Sequence, residues 1–271
     1  MSTTKIIRKN LSFASNKVKE LLSILTQYGE SRIIGGAVRD SILGIETQDI
    51  DIATSIHPKQ VMEILQYANI KAIPTGIDYG TVTCVMGKEV LEITTLRKDI
   101  QCFGRKAVVE FSQNFKDDAL RRDFTINALS YDYFTKEIYD YTGGYHDLLN
   151  REVKFIGNAY DRINEDYLRV LRFIRFTSKY ADKINIDGLK ASQDLIHQIQ
   201  HISKERIQRE IMLLFATKNV ADILAVMQDR GMLQYIFPKI SFDSIILKEA
   251  SQSHLGPVEL IGLSITNLDG K

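Results

Sequence analysis

Cysteine is nearly absent from this sequence: Cys84 and Cys102 are the only two among 271 residues. Two thiols build neither a disulfide framework nor a metal-ligand cluster, and such usage fits a reducing compartment, with the cytoplasm as the default. There is also no run of about 18 apolar residues and no apolar signal core at the N-terminus, which argues against membrane insertion. Nor is there an excess of one charge, since 35 Lys and Arg stand against 34 Asp and Glu. A chain so balanced does not coat nucleic acid by bulk electrostatics, so any nucleic-acid contact has to be local. The first 19 residues lack acids while carrying Lys5, Arg8, Lys9 and Lys17. Transit peptides share that composition, but a short polar lead before the first helix is the plainer reading.

What is present is ample core material, with 44% hydrophobic and 25% charged residues, enough for one or two globular domains. Two textures follow one another. Helical spacing of Val18, Leu21, Leu22, Ile24 and Leu25 leads into SRIIGG, a short strand ending in glycines. GAVRDSILG reads as a helix that stops at Gly44, DIDIAT as a strand, and PKQVMEILQYA as a helix opened by Pro58. GTVTCVM and EVLEITTL are β-rich runs joined tightly through Gly87 and Lys88. Beyond Tyr160 the pattern turns wholly helical, through EDYLRVLRFIRFTSKY, GLKASQDLIHQI, SKERIQREIMLLFAT and NVADILAVMQDRG. The boundary between a mixed first part and a helical second part falls near residues 150–160.

Chemistry concentrates in a few places. Asp49 and Asp51, two apart on a strand, share a face at roughly 6–7 Å, while Ile50 and Ile52 point the other way. Two carboxylates on one face repel unless a cation lies between them, and Mg²⁺ takes carboxylate oxygens together with substrate phosphates. Taken alone, the pair reads more simply as a solvated edge strand that exposes two acids. Gly35 and Gly36 precede a helix start, where bare backbone amides can face an anion; Arg39 lies one turn further in. An ordinary turn has the same look. Glu92, alternating with Leu91 and Ile93, completes a metal shell if its strand pairs beside DIDIAT, and is otherwise an exposed strand acid. On a helix continuous through 165–176, Arg169 and Arg172 fall within about 40° of Glu165 at ~100° per residue, apart from the stripe of Leu168, Leu171 and Ile174. A salt-bridged solvated face would produce the same pattern.

GGAVRD, DIDIAT, EITTLR, GRKAVVEFSQNFKDDALRRDFTINAL, YDYTGGYHDL, EDYLRVLRFIRF and SKERI, in that order, resemble the class II tRNA nucleotidyltransferases, the CCA-adding enzymes, and their bacterial poly(A) polymerase relatives. The resemblance implies an α+β fold: a polymerase-β-like nucleotidyltransferase head of mixed β-sheet and helices over 1–155, then an all-α neck over 156–238. Residues 239–271 would be the incomplete start of a C-terminal helical body. It implies that Asp49 and Asp51 hold catalytic Mg²⁺ with Glu92 assisting, and that Gly35, Gly36 and Arg39 hold the triphosphate. Arg122 would contact the incoming nucleotide, with Asp123 and Asn127 ordering the site. Asp166 and Arg169 would read the Watson–Crick edge of the base, and Arg172 and Arg175 would face the nucleotide. An Asp accepts from an exocyclic amino group and an Arg donates to ring nitrogen or carbonyl, so C and A are accepted and G and U refused.

The implied activity is transfer of CMP and AMP from CTP and ATP to a tRNA 3′ end. Alternatives are a poly(A) polymerase, a CC- or A-adding enzyme, or a lapsed RNA-binding remnant. Residues 97–114, with Gly104, match the family's flexible loop and favour full CCA addition. The chain ends at LDGK, short of the family's further helical domains, which implies weak tRNA grip, a truncated chain or a second chain supplying that grip. Several features are read as structural. His197 and His201 are a solvated pair, and Tyr131, Tyr133, Tyr139 and Tyr141 pack the sheet. Lys204, Arg206 and Arg209 are surface charges, although Glu205 and Arg206 match a family motif that supports the selecting helix.

Overall fold

The computed structural model describes residues 4–13, 15–47, 49–103, 106–238, 240–242, 259 and 265–267. They form two compact units whose main division falls between Leu148 and Leu149. In the first unit the strands are β1 (Lys5–Arg8), β2 (Ser31–Ile34), β3 (Asp51–Thr54), β4 (Lys71–Gly76), β5 (Thr81–Met86), β6 (Glu89–Thr95), β7 (Arg97–Phe103), β8 (Lys106–Phe111), β9 (Ser130–Asp132) and β10 (Glu137–Asp140). Eight of them make one mixed sheet in the order β1-β10-β9-β2-β3-β6-β5-β4, and β7 pairs with β8 in a separate ribbon. Only β3 and β6 run parallel; the other neighbours in the large sheet are antiparallel. Between the strands lie α1 (Asn16–Leu25), α2 (Gly36–Ile42), α3 (Pro58–Tyr67), α4 (Phe115–Leu120) and α5 (Gly144–Leu149).

Strand register follows from the alternation of side chains. Ile138, Tyr131, Ile33, Ile52, Ile93 and Val82 stand opposite one another across β10, β9, β2, β3, β6 and β5. All six are fully buried. Each contributes about 1.5–3 kcal/mol of apolar burial, so the row fixes the register of the whole sheet. One residue along, on the opposite face, Ile34, Asp51, Glu92 and Thr83 form the neighbouring row. The core thus dictates that Asp51 and Glu92 lie side by side. Local signals agree: Ser15 Oγ accepts from the Lys17 and Val18 amides at the start of α1, and Gly87 (φ 71°) with Lys88 turns β5 into β6.

Several elements depart from the sequence reading. Lys5–Arg8 is an edge strand on β10, because pairing with an exposed edge needs no alternation of its own. β4 carries Pro74 and lies at the other edge, where a missing N–H is tolerated. The strand of DIDIAT starts at Asp51, since its partner β2 ends opposite it at Ile34 and Gly35 turns away at φ 67°. Arg97–Phe103 and Lys106–Phe111 pair as the β7–β8 ribbon, where the sequence reading had a loop; Gly104 lies outside the described residues.

The second unit contains α6 (Ala159–Glu165), α7 (Leu168–Tyr180), α8 (Ile186–Leu195), α9 (Lys204–Phe215) and α10 (Val220–Asp229). Helix 165–180 is therefore not continuous. Asp166 is extended (φ −154°, ψ 108°) and its Oδ1 accepts from the Leu168 amide at 3.1 Å, an N-cap contact that starts α7 afresh. Nor is this part wholly helical: β11 (Ile240–Phe242) and β12 (Ile265–Asn267) pair antiparallel. The expected helical body over 239–271 lies mostly outside the described residues. Among the described residues no helix is long and apolar enough to cross a membrane.

Candidate active site

In the first unit the candidate residues gather around the end of β2. The chain leaves Ile34, swings through Gly35 and enters α2 at Gly36, while Asp51 begins β3 directly opposite Ile34. Gly35 has φ 67° and ψ −126°, backbone that side chains with a Cβ rarely adopt, and a Cβ there would sit 3.0 Å from Arg122 Nη1. Gly35→Ala is expected to cost about 1–3 kcal/mol of stability, measured by urea unfolding.

Arg122 is held from two sides. Its Nε and Nη2 donate to Asp118 Oδ2 at 3.1 and 2.9 Å, and its Nη1 donates to the Asn127 carbonyl at 3.2 Å. Arg121 donates to the other Asp118 oxygen at 2.9 and 2.5 Å. Burial alone would raise the Asp118 carboxyl, but the guanidiniums of Arg122 and Arg121 outweigh it and hold its pKa below the ordinary value. Asn127 joins this cluster to Arg39: Arg39 Nη1 donates to Asn127 Oδ1 at 2.5 Å and Arg39 Nε to Asp40 Oδ1 at 2.7 Å. Asn127 Nδ2 in turn donates to Asp123 Oδ1 at 3.0 Å. Arg39 is buried, so its first office is to tie α2 to the 123–127 segment.

Asp51 is the electrostatic focus. Its pKa is pushed up to about 6, chiefly by burial, then by the carboxylates of Asp49 and Glu92, with the Arg122 charge opposing. Asp49 is exposed and lies just before the strand. A carboxylate in this setting, with two others nearby, fits a hard divalent cation, which takes oxygen donors and relieves repulsion. Among the described residues no three Asp, Glu, His or Cys side chains converge closely enough to enclose an ion.

In the second unit Asp166, Arg169, Arg172 and Arg175 occupy the start and one flank of α7. Asp166 Oδ2 accepts from Arg206 Nη2 of α9 at 2.6 Å. Arg169 pairs with Glu165 and also donates to the Arg162 carbonyl at 2.9 Å. Arg175 Nε donates to the buried Glu210 at 2.6 Å, and Arg172 approaches the same carboxylate at 3.7 Å. Arg206 is thus a fixed partner of Asp166, not merely a surface charge.

Asp118, Arg121 and Glu210 escaped the sequence reading. The first two had a signal in their spacing, since Asp118 on α4 precedes Arg121 by three residues and Arg122 by four, just past the end of that helix. Glu210 lies 35 residues from Arg175 and had none. His197 and His201 lie in a 3₁₀ turn, where a spacing of four does not align side chains as it does on an α-helix. Tyr131 is buried and Tyr139 stacks on the Arg32 guanidinium at 3.5 Å, as sheet packing requires.

Comparison with known proteins gives consistent matches. The family described as "Poly A polymerase head domain" matches residues 31–154, and that described as "Probable RNA and SrmB- binding site of polymerase A" matches residues 183–243. The human mitochondrial CCA tRNA nucleotidyltransferase 1 is 41% identical over 211 residues, covering 76% of this chain and 48% of the relative. The CCA-adding enzyme of Oceanobacillus iheyensis is 39% identical over 216 residues, covering 79% and 53%. Among solved structures, the Bacillus stearothermophilus CCA-adding enzyme in complex with CTP superposes with a TM-score of 0.72 at 32% identity, covering 82% of this chain and 54% of that one. The chain spans about half the length of the curated relatives it matches.

Proposed function

Because this chain belongs to the nucleotidyltransferase family of the CCA-adding enzymes and poly(A) polymerases, we propose that it adds CCA to tRNA 3′ ends from CTP and ATP without a nucleic-acid template, releasing pyrophosphate. The observation that carries this reading is the pairing of Asp51 with Glu92 directly beside the glycine turn into α2. Asp49 and Asp51 would hold Mg²⁺, with Glu92 adjoining. Bound there, the ion supplies Lewis-acid chemistry, favouring the deprotonated RNA 3′-hydroxyl and offsetting charge on the departing pyrophosphate. The amides at Gly35 and Gly36 and the guanidinium of Arg122 position the triphosphate, and Asp118 and Asn127 keep Arg122 aimed.

Base choice rests on the start of α7. Asp166, held by Arg206, presents carboxylate oxygens that accept from the exocyclic amino group of C or A and meet a carbonyl oxygen in U or G. Arg169, steadied by Glu165, supplies the complementary donor. We place the reaction in the cytoplasm on the cysteine usage.

The decisive experiment incubates the protein with tRNA lacking CCA and defined nucleotides. With CTP and ATP together, extension by three residues and then arrest is expected. The family description also admits a poly(A) polymerase, and continuous extension with ATP alone would establish that reading instead.

A further inference from the structure

Arg32 is a buried cation to which the chemistry above gives no part. It precedes Ile34 by two residues on β2, so its side chain leaves the sheet on the face that carries Asp51 and Glu92. We propose that Arg32 is a positioning residue for nucleotide binding: it docks α4 on that face and so sets where Arg122 stands against the triphosphate. The proposal rests on the functional reading above and adds to it the residue that aligns one of its binding groups.

The contacts run in one line. Across the sheet, the row of Asp51 and Ile34 continues through Ser130 and Tyr139. Arg32 Nη1 donates to Ser130 Oγ at 3.4 Å and to Tyr141 Oη at 3.0 Å, and Nη2 pairs with Glu30. The guanidinium carbon lies 3.5 Å from the centre of the Tyr139 ring and 4.2 Å from that of Phe115. Phe115 opens α4, and Asp118 of the same helix holds Arg122 through both Nε and Nη2. A helix of six residues does not fix its own place, so its anchors decide where its far end points. Stability alone gives little reason for a cation here. Arg32 is 5% exposed, its acidic partner Glu30 is itself exposed, and its buried Nε has no hydrogen-bond partner among the described residues. Desolvating such a charge costs free energy that an apolar side chain of like volume would not. What the guanidinium supplies is a flat, rigid surface that seats two rings while its edge is pinned to the sheet, a geometry that a lysine ammonium does not reproduce.

The test is CTP binding by calorimetry, with Mg²⁺, for wild type, Arg32→Lys and Phe115→Leu, under conditions where urea unfolding shows each to be folded. Phe115→Leu leaves Arg32 in place and removes the α4 ring that it seats. Both variants are expected to bind CTP about 5- to 50-fold more weakly, since a displacement of about 1 Å at a positioning group can cost on the order of 100-fold. CMP, which lacks the phosphates that reach Arg122, should bind all three proteins alike by NMR titration. In an Arg122→Ala background, Arg32→Lys should weaken CTP binding no further, because residues acting through one group are not additive. Unchanged CTP affinity in either single variant, equal losses for CTP and CMP, or additive losses with Arg122→Ala overturns the proposal. If the selective loss appears and wild type nonetheless incorporates nothing into tRNA lacking CCA, the functional reading falls and the positioning role stands. Three-residue extension by wild type, with CTP affinity unchanged in the variants, keeps that reading and removes this one.

Discussion

Asp51→Asn is expected to abolish nucleotide incorporation, by about a thousandfold or more, while making the metal-free protein more stable. Both effects have one source. Asp51 is half-buried beside Asp49 and Glu92, and its pKa rises to about 6 from an unfolded value of about 3.9. A folded-state pKa raised above the unfolded one means stability fully present below pH ~4 and lost as pH climbs through ~6. Above that range the ionised carboxylate costs on the order of 2–3 kcal/mol, from about two units at 1.36 kcal/mol each. Asparagine keeps the shape and removes the charge. Urea unfolding in chelator at pH 4.5 and pH 7.5 should therefore show wild type losing stability relative to the variant as pH rises. Equal pH dependence in the two proteins would sink the electrostatic account, and retained incorporation would sink the assignment of Asp51. Added Mg²⁺ should stabilise wild type by mass action and the variant much less.

Asp166→Ala should relax discrimination against UTP and GTP more than it slows transfer of CMP. A well-made base-edge contact is worth about 1–3 kcal/mol, so a loss of about 10- to 100-fold in the ratio of kcat/KM values is expected. The same carboxylate caps α7 through the Leu168 amide and holds Arg206, so this substitution also loses stability, about 1 kcal/mol for the cap alone. Asp166→Asn separates the two roles. Its amide oxygen keeps the cap, whereas its NH₂ group can donate to the carbonyl of U or G. Selectivity should then tilt toward UTP and GTP with the cap kept and only the ion pair to Arg206 lost. If both variants still refuse UTP and GTP, the base is read elsewhere.

The placement of Asp51 and Glu92 on one face was legible in the sequence because side-chain alternation is a local property, and Ile52 and Ile93 anchor the opposite face. Other features were set by partners distant in the chain. Asp49 falls outside its strand because β2 ends at Ile34, which no pattern around residue 49 records. Asp166 interrupts a run of helical spacing because its side chain caps α7 and binds Arg206, 40 residues onward. Glu210 pairs with Arg175 only once α9 lies along α7. The edge strands Lys5–Arg8 and Lys71–Gly76 carry little pattern of their own and are recruited by a neighbour's free edge.

The parallel register of β3 and β6 has a consequence for how this chain tolerates change in length. A residue added or removed within Asp51–Thr54 or Glu92–Thr95 would turn acids into the core and isoleucines outward, so foldability and chemistry would fail together. A residue added between Gly44 and Thr47 sits before both Asp49 and the ladder and shifts neither row. Insertions and deletions should accumulate in that connector and be purged from the strands, without any selection on catalysis being needed to explain it.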